Sequence, residues 1–168
     1  MIFSAFSDGR FDLAGDEVRC ALGKGGVVEA QDKREGDGAS PLGVWPIRRV
    51  LFRPDRGAAP ATDLPTAPIS PNDGWCDAPS DAAYNQPVDH PYPASAERLW
   101  REDEVYDYVV VLGYNDDSVV RGVGSAIFLH VARPDYTPTE GCIALARRDV
   151  ERLIAHAKPG DAVAIRRA

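Results

Sequence analysis

Cys142 and His130 are the side chains whose types and order in this sequence fit nucleophilic chemistry. A thiol is weakly ionised at neutral pH. An imidazole that takes its proton makes the reactive thiolate, with an expected pKa below the free value of about 8.5. His130 ends the apolar run Ser125-Ala126-Ile127-Phe128-Leu129, and Cys142 follows Pro138-Thr139-Glu140-Gly141. Gly141 permits a tight backbone conformation that would strain other residues. Amide groups of Gly141 and Cys142 would then face the oxygen of a tetrahedral intermediate and stabilise its charge. Composition alone leaves another reading open. A free cysteine is most often a small buried hydrophobe, and a strand-end histidine is often a satisfied polar residue.

The elements that must position this pair are mostly strands. Phe3 to Phe6, Arg10 to Leu13 and Glu17 to Leu22 are short apolar-rich runs divided by Asp8-Gly9 and Gly15-Asp16, which are hairpin turn signals. Gly23-Lys24-Gly25-Gly26 marks another turn; it lacks the spacing of a phosphate loop. A strand is expected around Arg48 to Phe52, and two stronger ones over Val105 to Gly113 and Ser125 to Val131. Ser95 to Trp100 suggests a short helical turn. Val150, Leu153, Ile154 and Ala157 recur at helical spacing, Pro159-Gly160 stops that helix, and Ala162 to Ile165 reads as a closing strand. Residues from about 54 to 93 are dense in Pro, Gly, Asp and Asn, as in a long loop that is either disordered or functional. Trp75, Tyr84 and Tyr92 favour the functional option for its second half. Many strands, one clear C-terminal helix and no alternating βα units predict a mainly β sandwich or barrel, organised as one domain over 1–168.

At 168 residues the chain can build one proper core, and 44% hydrophobic with 27% charged residues is ordinary for a globular protein. The formal charge of −7 argues against nucleic acid or an anionic membrane surface as partner, and Arg147-Arg148 is only a short basic cluster. No apolar run approaches the roughly 20 residues that span a bilayer. No secretory signal follows Met1, which predicts a cytoplasmic location. Cys20, Cys76 and Cys142 are odd in number and far apart, so no disulfide framework is expected. The absence of CxxC, HxxxH and HExxH spacings predicts no metal site. Nothing in the sequence sets an oligomeric state.

His130, a spacer, and then Thr139-Glu140-Gly141-Cys142-Ile143 resemble the signature of the L,D-transpeptidase catalytic domain family (YkuD-type). In that family a histidine and a spacer precede Ser-His-Gly-Cys, followed by a hydrophobic residue and often Arg. Upstream, Lys33-Arg34-Glu35-Gly36-Asp37-Gly38-Ala39-Ser40-Pro41-Leu42-Gly43 looks like the family's Lys-x-Gly-Asp-x-x-(Thr/Ser)-Pro-x-Gly segment. The two motifs stand in the family's order and span most of the chain. There are departures. Thr139 and Glu140 replace Ser-His, Ala144 replaces the Arg, and Val131 stands where Gly is frequent. Glu140 is expected to point to solvent, and Arg133 to supply the missing cation.

The resemblance implies a β-rich fold in which Cys142 attacks the bond between the position-three diamino acid and D-alanine of a murein tetrapeptide. His130 would carry the proton, Thr139 would orient the motif, and no metal or organic cofactor is called for. Trp75, Tyr84 and Asn85 would form a substrate wall, or else pin the long loop. Three functions follow: a cytoplasmic L,D-carboxypeptidase of murein recycling, a cross-linking transpeptidase, and a non-catalytic murein-binding module. The first is expected: no export signal is seen, the chain is short for two extended grooves, and retention of Cys142 and His130 speaks against the third.

Overall fold

A ten-residue strand organises the molecule. In the computed structural model, which describes all 168 residues, the chain runs β1 (Ile2–Phe6), β2 (Arg10–Leu13), β3 (Asp16–Ala21), β4 (Val27–Val28), a single 3-10 turn (Ala30–Asp32) and β5 (Ser40–Pro41). There follow β6 (Gly43–Phe52), β7 (Thr66–Pro68), β8 (Asp73–Cys76), β9 (Pro87–Asp89), β10 (Ala96–Arg98), β11 (Tyr108–Leu112) and β12 (Phe128–Val131). The chain ends with β13 (Ile143–Leu145), α1 (Arg147–His156) and β14 (Ala162–Arg166). The first half of β6 pairs with β14 and the second half with β11. From β11 the sheet continues through β12, β13, β3, β2 and β1 back to β14. The sheet therefore closes on itself as a mainly β, barrel-like fold with one helix, as expected from the sequence.

β11 and β12 lie between two apolar cores, and their sequences show it. A strand buried on both faces reads as a continuous apolar run, because successive side chains point to opposite sides. Val110, Leu112, Leu129 and Val131 point into the larger core, where Val150, Leu153, Ile154 and Ala157 of the helical segment also pack. Val109, Val111 and Phe128 point the other way, into a smaller core with Leu51, Ile69, Trp75, Leu99 and Tyr106. His130 shares that second face, so the one polar residue of β12 emerges beside the smaller core.

Two expectations need correction. Ser95 to Trp100 is not helical: Ala96–Arg98 forms β10 and pairs with β8. The 54–93 region contains β7, β8 and β9, and β8 is the middle strand of a small sheet in the order β10-β8-β9. These strands have only three or four residues each, too short for a periodic pattern to show. No helix is long and apolar enough to cross a membrane.

Candidate active site

Strand register brings the two expected catalytic residues to one face. β12 and β13 run parallel, with Leu129 opposite Ile143 and His130 opposite Ala144. Cys142 stands one residue before β13, beside Phe128, so its side chain shares the face of His130. The Phe128 N–H donates to Cys142 Sγ at 3.3 Å, and the thiol points to the Ala126 carbonyl at 3.8 Å. His130 and Cys142 line one cavity of about 530 Å³.

His130 is 6% exposed. Its Nδ1 lies 3.0 Å from the Val131 carbonyl. A carbonyl only accepts, so the proton sits on Nδ1 and Nε2 is left as the base. The Tyr106 ring meets the imidazole edge to face, with centroids 5.3 Å apart, and the Tyr106 hydroxyl donates to Glu97. Burial pushes the His130 pKa down to about 4. Burial likewise pushes the Cys142 thiol up to about 12, and the Glu97 carboxylate adds to the rise, against the Phe128 amide and Lys33. The expected depressed thiol is therefore not found. Both groups rest neutral, because burial disfavours each charged form. No hydrogen bond joins Sγ to the imidazole, as is common before a substrate tightens such a pair.

The nucleophile's loop is held by bonds that use the whole upstream motif. Lys33, 3% exposed, reaches Asp37 Oδ1 at 2.6 Å and the Arg34 carbonyl at 2.8 Å. Asp37 in turn accepts from the Arg34 and Ala39 amides. The bracket ends in Ser40, whose Oγ donates to the Gly141 carbonyl at 2.7 Å and accepts from the Gly23 amide at 2.9 Å. Gly141 has φ +133°, and a Cβ there would lie 2.8 Å from the Ala39 carbonyl oxygen. Only glycine fits. Thr139 Oγ1 donates to the Cys142 carbonyl at 2.6 Å and accepts from the Gly141 N–H at 3.1 Å. The Gly141 amide is thereby occupied, and the Cys142 N–H is the one left without a partner. Glu140 faces solvent, 77% exposed, and pairs with Lys24.

Arg133 lines the cavity; Trp75, Tyr84 and Asn85 do not. Trp75 Nε1 donates to Asn85 Oδ1, and Asn85 Nδ2 donates to the Tyr114 and Asn115 carbonyls. The Tyr84 hydroxyl donates to Glu35 and accepts from the Gly124 amide. These polar atoms are spent on protein partners, an arrangement that pins the long loop. Glu97, Arg101 and Tyr106, not singled out in the sequence, also line the cavity, as does Asp77, which the sequence suggested only as a turn cap. Only the strand pairing of β10 with β8 could have pointed to Glu97. Ser40 and Lys33 were signalled by their motif, though not in what they hold.

A family model for the L,D-transpeptidase catalytic domain matches residues 4–165. The chain belongs to the L,D-transpeptidase catalytic domain family. The match runs from β1 to β14 and takes in both motifs. Searches of curated proteins and of solved structures return no match to the chain. Enzymes of this family act on peptidoglycan peptides through a cysteine. In this L,D-transpeptidase domain Cys142 and His130 meet in one cavity, held by the bracket just described.

Proposed function

We propose that this L,D-transpeptidase domain releases the C-terminal D-residue of murein tetrapeptides to water, as an L,D-carboxypeptidase working on soluble recycled fragments in the cytoplasm. Cys142 Sγ attacks the carbonyl of the position-three residue, and its proton passes to His130 Nε2. The carbon–sulfur bond forms, the developing oxyanion meets the free Cys142 amide, and the C–N bond breaks as His130 protonates the leaving nitrogen. Water then gives its proton to His130, attacks the thioester and frees the tripeptide acid, and Cys142 regains its proton.

The observation that carries this reading is the cavity. At about 530 Å³ it matches the space that encloses one small ligand, whereas a cross-linking enzyme must orient a second stem and keep water away. The charge of −7 also disfavours adsorption to an anionic polymer. A second reading has its own support. A neighbouring hollow of about 470 Å³ shares Val105, Val131 and Arg133 with the cavity and offers room for an amine acceptor.

Incubating the protein with a disaccharide tetrapeptide and weighing the products separates the two. Tripeptide and free D-alanine are expected, with added glycine or D-amino acid diverting a minority of product. A cross-linked dimer, or exchange at modest acceptor concentration, would replace hydrolysis with transfer. Product from Cys142→Ala would remove both.

A further inference from the structure

Charged side chains of both signs line the catalytic cavity. Glu97 and Lys33 act on the Cys142 thiol, whereas Arg101, Asp103 and Arg133 act on the His130 imidazole. Lys33 is already committed to Asp37. Arg101 grips both oxygens of Asp103 through Nε and Nη2, at 2.8 and 2.7 Å, and Arg133 Nη2 reaches the same carboxylate at 3.4 Å. Two guanidinium groups thus share the Asp103 carboxylate, and Arg101 also feels the buried Glu97, whose charge burial disfavours. The Arg101 guanidinium lies 5.4 Å from the centre of the Tyr106 ring, which itself packs edge-on against His130. Both arginines line the cavity, and their side chains keep 32% and 49% of their exposure. Ala144, opposite His130, is a short side chain in the cavity wall.

We infer that Arg101 and Arg133 hold the free α-carboxylate of the departing residue, so that this domain selects the last peptide bond of a chain. The inference rests on the carboxypeptidase reading and names what that site recognises. His130 delivers its proton to the departing nitrogen. In a C-terminal residue a single carbon separates that nitrogen from the carboxylate, so the group that protonates the nitrogen has the carboxylate close beside it. Arg101 and Arg133 line the same cavity as His130. An internal bond presents a neutral amide at the same place, which gains little from a cation. The planar guanidinium offers paired donors that match a carboxylate, and Asp103 holds Arg101 in position for it. The Glu97 and Asp77 carboxylates, which also line the cavity, disfavour a carboxylate beside themselves.

The test uses the intact protein and two tetrapeptides that differ only in ending as acid or as carboxamide. The acid should be cleaved with kcat/KM about 10- to 100-fold higher, the range of a charge-assisted hydrogen bond. Arg133→Gln should lower kcat/KM about tenfold more on the acid than on the carboxamide; Arg133→Lys should restore part of the preference. Arg133 is half exposed, so its variants test the idea even if Arg101→Gln fails to fold. Equal cleavage of both peptides by the unaltered protein, or an equal loss on both in Arg133→Gln, overturns the carboxylate clamp and leaves the cysteine peptidase standing. Cleavage of neither peptide overturns the peptidase reading and the clamp with it.

Discussion

A thiol that ionises near pH 12 is not a thiolate at neutral pH, so Cys142 must lose its proton as the substrate carbonyl is attacked. Iodoacetamide should accordingly modify Cys142 slowly at pH 7 and keep accelerating above pH 9; a titration midpoint below 8.5 would contradict the neutral resting pair. His130→Ala should slow acylation by the roughly 10²–10⁴-fold of a lost general base. The imidazole must be neutral to accept the proton, so kcat/KM should fall on the acid side near pH 4, well below the ordinary 6.5. The same shift acts on stability. The unfolded chain protonates His130 near 6.5 and the folded one near 4, so below 6.5 the unfolded state takes up the proton first. The stabilisation is complete above pH 6.5 and is lost as pH falls to 4, on the order of 3 kcal/mol in all. Urea unfolding between pH 7 and 4 should show this loss, and His130→Gln should remove that part of the slope.

Between residue and fold stand the loops, and the loop before β13 is the one on which the site depends. Gly141→Ala places a Cβ against the immobile Ala39 carbonyl and forces an unsuited backbone angle. It should cost about 1–3 kcal/mol or more and displace the Cys142 amide, so that melting temperature and acylation rate fall together. Ser40→Ala strips the Gly23 amide and Gly141 carbonyl of their shared partner, a loss of about 1–3 kcal/mol. Asn85→Ala should lower the melting temperature and leave KM unchanged; a raised KM at unchanged stability would restore the substrate-wall role. Legibility followed the same division. The β1–β3 hairpins, β11, β12, α1 and β14 were legible because each has a turn signal or a run of apolar residues long enough to show its period. Strand β13 was not, since Ile143-Ala144-Leu145 is three residues and owes its pairing to neighbours 14 residues back in β12. That Cys142 and His130 would come together was legible from spacing and motif, and the two line one cavity. Glu97, Arg101 and Tyr106 were not, because tertiary pairing alone brings them to His130.

At the scale of the whole molecule, β11 and β12 form a wall with the larger core on one side and the smaller core and the proposed catalytic pair on the other. The larger core holds α1 against the barrel and shares only Ile127 and Val131 with the lining of the cavity. The smaller core contains Tyr106 and Phe128, and Cys142 packs against it. Adjacent residues of β11 therefore belong to different functions. Val109 and Val110 are both fully buried, and each side chain replaced by alanine removes the same two methyl groups. Val110→Ala opens its cavity in the larger core, and Val109→Ala opens one beside Phe128 and Tyr106. The two variants should lose similar stability in urea, about 2–3 kcal/mol each. Their effects on the site should differ. Val109→Ala gives Tyr106 and Phe128 room to move, which loosens the edge contact that fixes His130 and the amide that faces Cys142 Sγ. Its acylation rate should fall several-fold under conditions where the protein is fully folded, whereas Val110→Ala should acylate at the unaltered rate. Equal acylation losses in the two would mean that the wall transmits packing defects across itself, and that the cores are not separable.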